Sequence, residues 1–271
     1  DALFIFGFHW SVAGAAGATV LAQAISGVCC LIYLIKKFPI LRVHGEEWRW
    51  RGNFVARLCG MGIPMGLQYS ITAIGSVILQ TAVNGLGSVV VASMTAGGKL
   101  SMFFCCPFDA FGSTMATYAG QNLGAGKLDR VTKGMVQCSF VAAGYSVVAA
   151  VVMILFGKSF ALLFVDSTEV EIIANVAKLL IINSLFFIPL ALVNIIRFAI
   201  QGLGFGKLAI FAGVAEMVGR SIVGFGFVAR FGFVAACLAS PIAWILADIF
   251  LIPAYAYCIR KLRPIIQEKK E

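Results

Sequence analysis

Seven long apolar runs limit what this chain can fold into. Each is longer than the roughly 20 residues that an α-helix needs to cross a bilayer. A shorter apolar stub, Ala2–Phe8, precedes the first run. We therefore predict an all-α polytopic membrane protein with a helix stub and seven complete spans. The predicted spans are Val12–Ile35, Leu58–Val83, Val89–Ala119, Thr132–Phe156, Val170–Ile200, Leu208–Ala229 and Phe233–Ile259.

The composition excludes a soluble domain. Hydrophobic residues make up 61% of the 271 residues and charged residues 12%, whereas soluble domains have about 45–50% and about 25%. The sequence begins at Asp1, inside an apolar run and without a methionine or a signal peptide. We therefore expect it to be a fragment that lacks an N-terminal part.

The net charge of +9 has a one-sided distribution. If the spans alternate in direction, sixteen of the 21 Lys and Arg residues share one side, including Arg197, Lys207 and five residues from Arg260 onwards. Only Lys158 and Arg230 fall on the other side. Cytoplasmic loops carry such an excess of basic residues. The pattern predicts a cytoplasmic C-terminus in a multi-pass protein of the cell (inner or plasma) membrane, and gives no reason to expect nucleic acid as a partner.

A glycine-rich sequence occurs twice, as QNLGAGKLDR (Gln121–Arg130) and QGLGFGKLAI (Gln201–Ile210). A phosphate-binding P-loop needs a glycine where each copy has glutamine, and Ser or Thr where each has leucine after the lysine. We therefore expect no nucleotide to bind. Each copy follows a predicted span, and glycine there can end a helix in the left-handed conformation.

A second similarity relates the first and last spans. Residues Ala18–Ala22 (ATVLA) resemble Ala239–Ala243 (ASPIA), and five spans separate them. The repeating unit would then be six helices in parallel orientation, an arrangement found in transporters with a binding site between two halves. The other explanation is that membrane helices rich in small residues resemble each other by composition.

Neither an enzyme active site nor a metal cofactor is expected. The eight cysteines have no CxxC spacing and lie mostly within spans, and the two histidines flank opposite ends of the first span. No nucleophile and base are placed for catalysis.

Charges within the spans need a partner or a function, because a buried charge costs a few kcal/mol. Glu216 and Arg220 are one helical turn apart and can neutralise each other; a structural ion pair is favoured over a substrate site. Four further charged residues could line a central cavity or form pairs between helices, and the sequence does not decide between these roles. They are Lys99, Asp109, Lys178 and Asp248.

Asp1 and Thr19 are each about nine residues from the turn between the stub and the first span. At 1.5 Å per residue, both lie about 13 Å below the membrane surface. A carboxylate beside a hydroxyl could hold a proton or ligate Na⁺. The alternative, equally weighted on these residues alone, is a hydrogen bond that merely satisfies both side chains.

Five stretches together resemble the multidrug and toxic compound extrusion (MATE) family, and the resemblance covers essentially the whole chain. They are DALFIFGFHWSVAGAAGATVLAQ (1–23), GIPMGLQYS (62–70), YAGQNLGAGKLDR (118–130), QGLGFGK (201–207) and EMVGR (216–220).

This resemblance implies a twelve-helix transporter with two six-helix lobes, matched here from the end of the fifth helix through the twelfth. Residues 1–35 would end the N-terminal lobe, 36–57 would form a basic inter-lobe loop, 58–259 the C-terminal six-helix lobe and 260–271 a cytoplasmic tail. The implied function is Na⁺- or H⁺-coupled antiport by alternating access, which exports organic cations, drugs or other amphipathic compounds. A lipid-linked saccharide flippase of the same superfamily is the alternative.

The resemblance also bears on the coupling ion. One branch of the family has membrane acids at places that correspond to the surroundings of Thr72 and Leu190, where this chain has none. The other branch has an Asp and a Thr that match Asp1 and Thr19, which would bind Na⁺ or a proton. Candidate residues for the substrate cavity are Gln68, Tyr69 and Asn84.

Overall fold

The chain is helical wherever its structure is described. A computed structural model describes residues 12–39, 45 and 49–268, and no strand occurs among them. Two compact units, Asp1–Val55 and Ala56–Glu271, make up the chain. The first unit contains helix α1, Val12–Lys37. The predicted stub Ala2–Phe8 lies outside the described residues.

Seven more helices belong to the second unit. The first of them begins at Gly52, shortly before the first residue of the unit, Ala56. In chain order these are α2 (Gly52–Asn84), α3 (Ser88–Gly124), α4 (Leu128–Ala161), α5 (Val170–Leu185), α6 (Phe187–Gly202), α7 (Gly206–Ile222) and α8 (Val228–Glu268), with a π-helical turn at Val223–Phe227 between the last two.

The helices confirm the all-α polytopic prediction. Five helical stretches of the described chain are long and apolar enough to cross a membrane, and α5 with α6 forms a sixth, bent by 55°. The stretch Gly206–Gln267 contains two spans, because the backbone leaves helical geometry at Gly232 (φ 58, ψ −137). The predicted tail continues α8 as far as Glu268.

Packing across the two sides of Gly232 shows that the chain reverses there. A Cβ placed on Gly219 would lie 2.9 Å from the Cα of Ala243. In one straight helix these two residues would be about 36 Å apart. Helices α7 and α8 therefore form an antiparallel hairpin that turns at Gly232.

Replacing Gly232 by alanine tests this turn. Its positive φ disfavours an L side chain, and a Cβ there would meet nothing within 4 Å. We expect Gly232→Ala to lower the free energy of unfolding by about 1–3 kcal/mol through backbone strain alone. Thermal unfolding in detergent measures the loss. Gly98→Ala, in a helix and also without a neighbour within 4 Å, should not destabilise; an equal loss in both variants would contradict the turn.

One predicted span, Val170–Ile200, is broken in two. Phe186 (φ −109, ψ 19) separates α5 from α6. Pro189 explains the break, because it has no N–H to donate to the carbonyl of Leu185 and its ring crowds that oxygen. The axes of α5 and α6 therefore differ in direction by 55°.

The two glycine-rich sequences are helix exits, as predicted. Gly126 (φ 69) follows α3 and Gly204 (φ 87) follows α6. In both places the next amide donates to a carbonyl five residues back, Lys127 to Asn122 and Phe205 to Ile200. This is the Schellman pattern that ends helices. The capping glycine is the sixth residue of the first copy but the fourth of the second.

The main core lies where α3 packs against α4, α5 and α6, and α8 joins it by packing against α6. Phe108 of α3 is fully buried, and its ring centroid is 5.4 Å from that of Phe187 and 5.3 Å from that of Tyr145. Glycines of α3 bring the helices close: the Cβ of an alanine at Gly112 would lie 2.6 Å from the Phe198 side chain. This core holds α6 against α3.

Candidate functional site

A buried ion-pair triad joins α6 to α7. Both oxygens of the Glu216 carboxylate accept hydrogen bonds from arginines, Oε1 from Arg197 Nη2 and Oε2 from Arg220 Nη2 at 3.3 Å. The three residues are 3%, 7% and 8% exposed, respectively. The sequence placed Glu216 and Arg220 one turn apart, and the structure brings them together; Arg197 is the additional partner.

The triad belongs to a larger polar cluster that includes α2. Gln201 Nε2 of α6 donates to Gln68 Oε1 of α2 at 2.7 Å. Arg220 Nη1 of α7 donates to the carbonyl oxygen of Thr72 at 3.4 Å. We call Gln68, Thr72, Arg197, Gln201, Glu216 and Arg220 the polar cluster.

Each of the three helices contributes two cluster residues that are four positions apart. The pairs are Gln68 and Thr72, Arg197 and Gln201, and Glu216 and Arg220. Residues at this spacing lie on one face of a helix, one turn apart. Three polar faces therefore meet inside the lobe.

Gly213 lets α7 approach the α2 face of the cluster. A Cβ at this position would lie 3.2 Å from both the side chain and the backbone oxygen of Gln68, and 3.4 Å from the Thr72 hydroxyl. A larger residue would push the helices apart and lengthen the hydrogen bonds between them. Small residues are characteristic of closely packed membrane helices.

The cluster has polar groups that no protein atom satisfies. Within the described residues, Arg197 Nε, Gln201 Oε1 and the Thr72 hydroxyl have no hydrogen-bond partner, and neither does Oδ1 of the buried Asp248. Asp109 and Asp248 are close enough to act electrostatically on Arg197. Buried polar groups without protein partners commonly bind ordered water, so we expect water in and around the cluster.

One sequence-based assignment is wrong. Arg197 was assigned to the basic residues at the cytoplasmic side, but it is buried within α6 and bonded to Glu216. Fifteen Lys and Arg residues therefore remain on the predicted cytoplasmic side, and two lie on the other side. The run LALVNIIRFAI, which continues past Arg197, was the signal that this arginine lies inside a span.

Two of the three predicted cavity residues lie at or near the polar cluster, and the third does not. Gln68 is 1% exposed and belongs to the cluster, and its neighbour Tyr69, 55% exposed, is close enough to act electrostatically on Arg197. Asn84 is the last residue of α2, about 24 Å along the helix from Gln68. Its side chain accepts a hydrogen bond of 2.9 Å from Gln80.

The predicted cation site is only partly described. Thr19 lies in α1, and Asp1 lies outside the described residues, so their pairing remains a prediction. No group of three or more His, Cys, Asp or Glu residues in the described ranges could hold a metal ion. Around Thr72 and Leu190 the chain has no acid, and Leu190 is buried in the core.

The fold and the cluster define a class: a polytopic helical membrane protein whose lobe holds its charges in an internal network. The model of the MatE family matches residues 64–225, which is more than half of the chain. The chain belongs to this family, the multidrug and toxic compound extrusion transporters, as the sequence resemblance predicted.

Individual relatives agree with this assignment. The probable multidrug resistance protein YpnP of Bacillus subtilis (strain 168) is 30% identical over 171 residues, which are 62% of this chain and 37% of that protein. The multidrug export protein MepA of Staphylococcus saprophyticus is 24% identical over 103 residues, 38% of this chain and 23% of that protein.

A solved structure shares the fold. It is the outward-facing conformation of a multidrug resistance MATE family transporter of the MOP superfamily, with a TM-score of 0.88 and 17% identity. The match covers 97% of this chain and 60% of that structure. The present chain therefore spans well under two thirds of the length of these relatives.

Proposed function

We propose that this chain forms part of a cation-coupled antiporter that exports small amphipathic or cationic compounds by alternating access. The observation that carries the proposal is the polar cluster of a MATE-family lobe, in which the buried charges of Arg197, Glu216 and Arg220 pair with one another. Such a lobe can move as one body while a site beside it opens to either side of the membrane. The names of YpnP and MepA support multidrug compounds as the substrate class.

The cluster also bears on where the coupling cation binds. Both oxygens of Glu216 are already engaged by arginines, which leaves this carboxylate unsuited to a transported cation. One branch of the family has an Asp and a Thr at the matching places, and on that resemblance we assign the coupling cation, Na⁺ or a proton, to Asp1 with Thr19. Binding there favours the outward-facing state and lowers the affinity for the exported compound. Coupling is reciprocal, so the cation gradient drives export.

The pairing of Arg197 and Arg220 with Glu216 favours export of cations over flipping of an anionic lipid-linked saccharide. A flippase for such a substrate needs strong positive charge on a cavity wall. Arg197 and Arg220 are instead buried and bonded to Glu216. We further propose that the C-terminus is cytoplasmic, because fifteen basic residues gather on that side and two on the other.

The test is efflux of a fluorescent organic cation from vesicles that contain this chain together with an N-terminal lobe. We expect Asp1→Asn to reduce efflux driven by an imposed Na⁺ or H⁺ gradient by about 5- to 150-fold, the range of a coupling energy of 1–3 kcal/mol. The matched control is Asp129→Asn, the same change at an acid that is 90% exposed, which should leave efflux unchanged.

Two results would contradict parts of this proposal. Unchanged coupled efflux in Asp1→Asn would move the cation site elsewhere, and Asp248, whose Oδ1 has no protein partner among the described residues, would be the next acid to replace. No efflux of any cation from correctly inserted protein would favour the flippase.

A further inference from the structure

A pocket separate from the polar cluster lies between the beginning of α4 and the end of α8. Its volume is about 490 Å³. Two arginines, Arg260 and Arg263, and two hydroxyl-bearing residues, Thr132 and Tyr255, line it together with apolar atoms of α8. The lining therefore combines two basic and two hydroxyl-bearing side chains with apolar surface.

The two arginines are available to a ligand. Arg260 is exposed. Arg263 forms a weak ion pair with Asp129, in which Nη2 lies 3.9 Å from Oδ1. The side chains of Arg263 and Asp129 are 64% and 90% exposed, respectively. An exposed pair of this kind contributes little. The neighbouring Lys261 makes a cation–π contact instead, with its Nζ 5.8 Å from the ring centroid of Phe205. Guanidinium groups bind phosphate in a bidentate manner.

An apolar track leads away from this pocket along both helices. On α4, Val136 and Phe140 follow Thr132 at four-residue spacing and are 50% and 75% exposed. On α8, Ile252 and Ile249 precede the pocket on the face of Ala256 and are 53% and 64% exposed. Phe140 is about 12 Å from Thr132 along the helix. Such a track fits acyl chains.

We propose that the pocket binds the phosphate headgroup of an anionic phospholipid, with its acyl chains along the track. Charge complementarity selects this occupant: an anionic headgroup neutralises the positive charge of both arginines, while a zwitterionic headgroup adds a cation beside its phosphate and leaves the net charge of the pocket unchanged. Basic pockets at the ends of membrane helices bind acidic headgroups in this way. The site shares no lining residue with the polar cluster and does not depend on the direction in which the chain is inserted.

The test measures lipid retention on the whole chain by native mass spectrometry after purification with phosphatidylglycerol or phosphatidylcholine. We expect phosphatidylglycerol to be retained by the unaltered chain and retention to fall roughly fivefold per arginine, about 30-fold in Arg260→Gln/Arg263→Gln. Phosphatidylcholine retention should be weak and unaffected. The control is Arg49→Gln/Arg51→Gln, which removes the same charge outside the pocket and should not change phosphatidylglycerol retention.

Three outcomes would overturn the proposal. Equal losses in the two double variants would mean that net charge alone attracts the lipid. Equal retention of the two lipids would mean that the headgroup is not recognised. Displacement of phosphatidylglycerol by millimolar inorganic phosphate would make this a phosphate site rather than a lipid site. The lipid-free unfolding midpoint serves as a check on folding, and it should not change because both arginines are exposed.

Discussion

Glu216→Gln should lower the free energy of unfolding by about 3–5 kcal/mol, the usual cost of removing one partner from a buried salt bridge. The carboxylate is the counter-charge of two buried arginines, Arg197 and Arg220. Glutamine keeps the size of the side chain but cannot neutralise either guanidinium group. The expected loss is large because the charge left behind remains buried.

The measurement is the thermal unfolding midpoint in detergent, with the fraction of monodisperse protein as a second readout. A loss of this size lowers the midpoint by on the order of 10 °C. The matched control is Asp129→Asn, which also removes a carboxylate from an arginine pair. That pair is exposed, with its atoms 3.9 Å apart, so the change should be within about 1 kcal/mol.

A triple variant separates a structural role of the triad from a role in transport. Replacing all three charges, as in Glu216→Gln/Arg197→Met/Arg220→Met, leaves none of the triad's charges unpaired and should recover much of the lost stability. Recovered stability with normal efflux would mean that the triad only holds the lobe together. Recovered stability without efflux would assign it a part in transport. A midpoint in Glu216→Gln equal to that of the control would contradict the triad itself.

The helical architecture was predictable because one length scale governs it. A bilayer requires about 20 apolar residues per crossing, and the seven predicted runs correspond to the helices of the structure. The break at Phe186 was not predicted. Pro189 indicates a kink within a span, but its sequence position does not reveal a 55° bend, which depends on how both halves pack.

The candidate site was predictable only where its residues are close in sequence. Glu216 and Arg220 lie one turn apart on a single helix, so their pairing needs no knowledge of the fold. Arg197 was misassigned because it was grouped with the basic residues that flank the span, although the apolar run continues past it; its partner, Glu216, is on another helix. Gln68 and Gln201 lie far apart in the chain, and only the tertiary fold brings Gln201 Nε2 within 2.7 Å of Gln68 Oε1.

Gly202→Ala should be the most destabilising of three glycine-to-alanine substitutions, because its Cβ would meet backbone. The Cβ would lie 2.3 Å from the carbonyl oxygen of Ala116 on α3 and 2.9 Å from its Cα. A backbone atom cannot rotate away, so α6 and α3 would have to separate. We expect a loss of at least about 3 kcal/mol, the upper end of overpacking costs.

Gly112→Ala and Gly144→Ala complete a graded series. At Gly112 the new Cβ would lie 2.6 Å from the Phe198 side chain, which can move, and we expect a loss of about 1–2 kcal/mol. At Gly144 there is nothing within 4 Å. Alanine there should be neutral or stabilise α4 by up to about 1 kcal/mol, because alanine favours helix. Unfolding midpoints of the three variants in one detergent provide the comparison.

The order of the three midpoints is more informative than their sizes, because detergent changes the sizes but leaves the order in place. All three substitutions add the same methyl group within or at the end of a helix. Only the atom that the methyl group meets differs: a backbone oxygen, a rotatable ring or no atom within 4 Å. A lower unfolding midpoint for Gly112→Ala than for Gly202→Ala would mean that the aromatic core is less adaptable than the contact between α3 and α6. Equal midpoints would mean that α3 and α6 do not pack as closely as described.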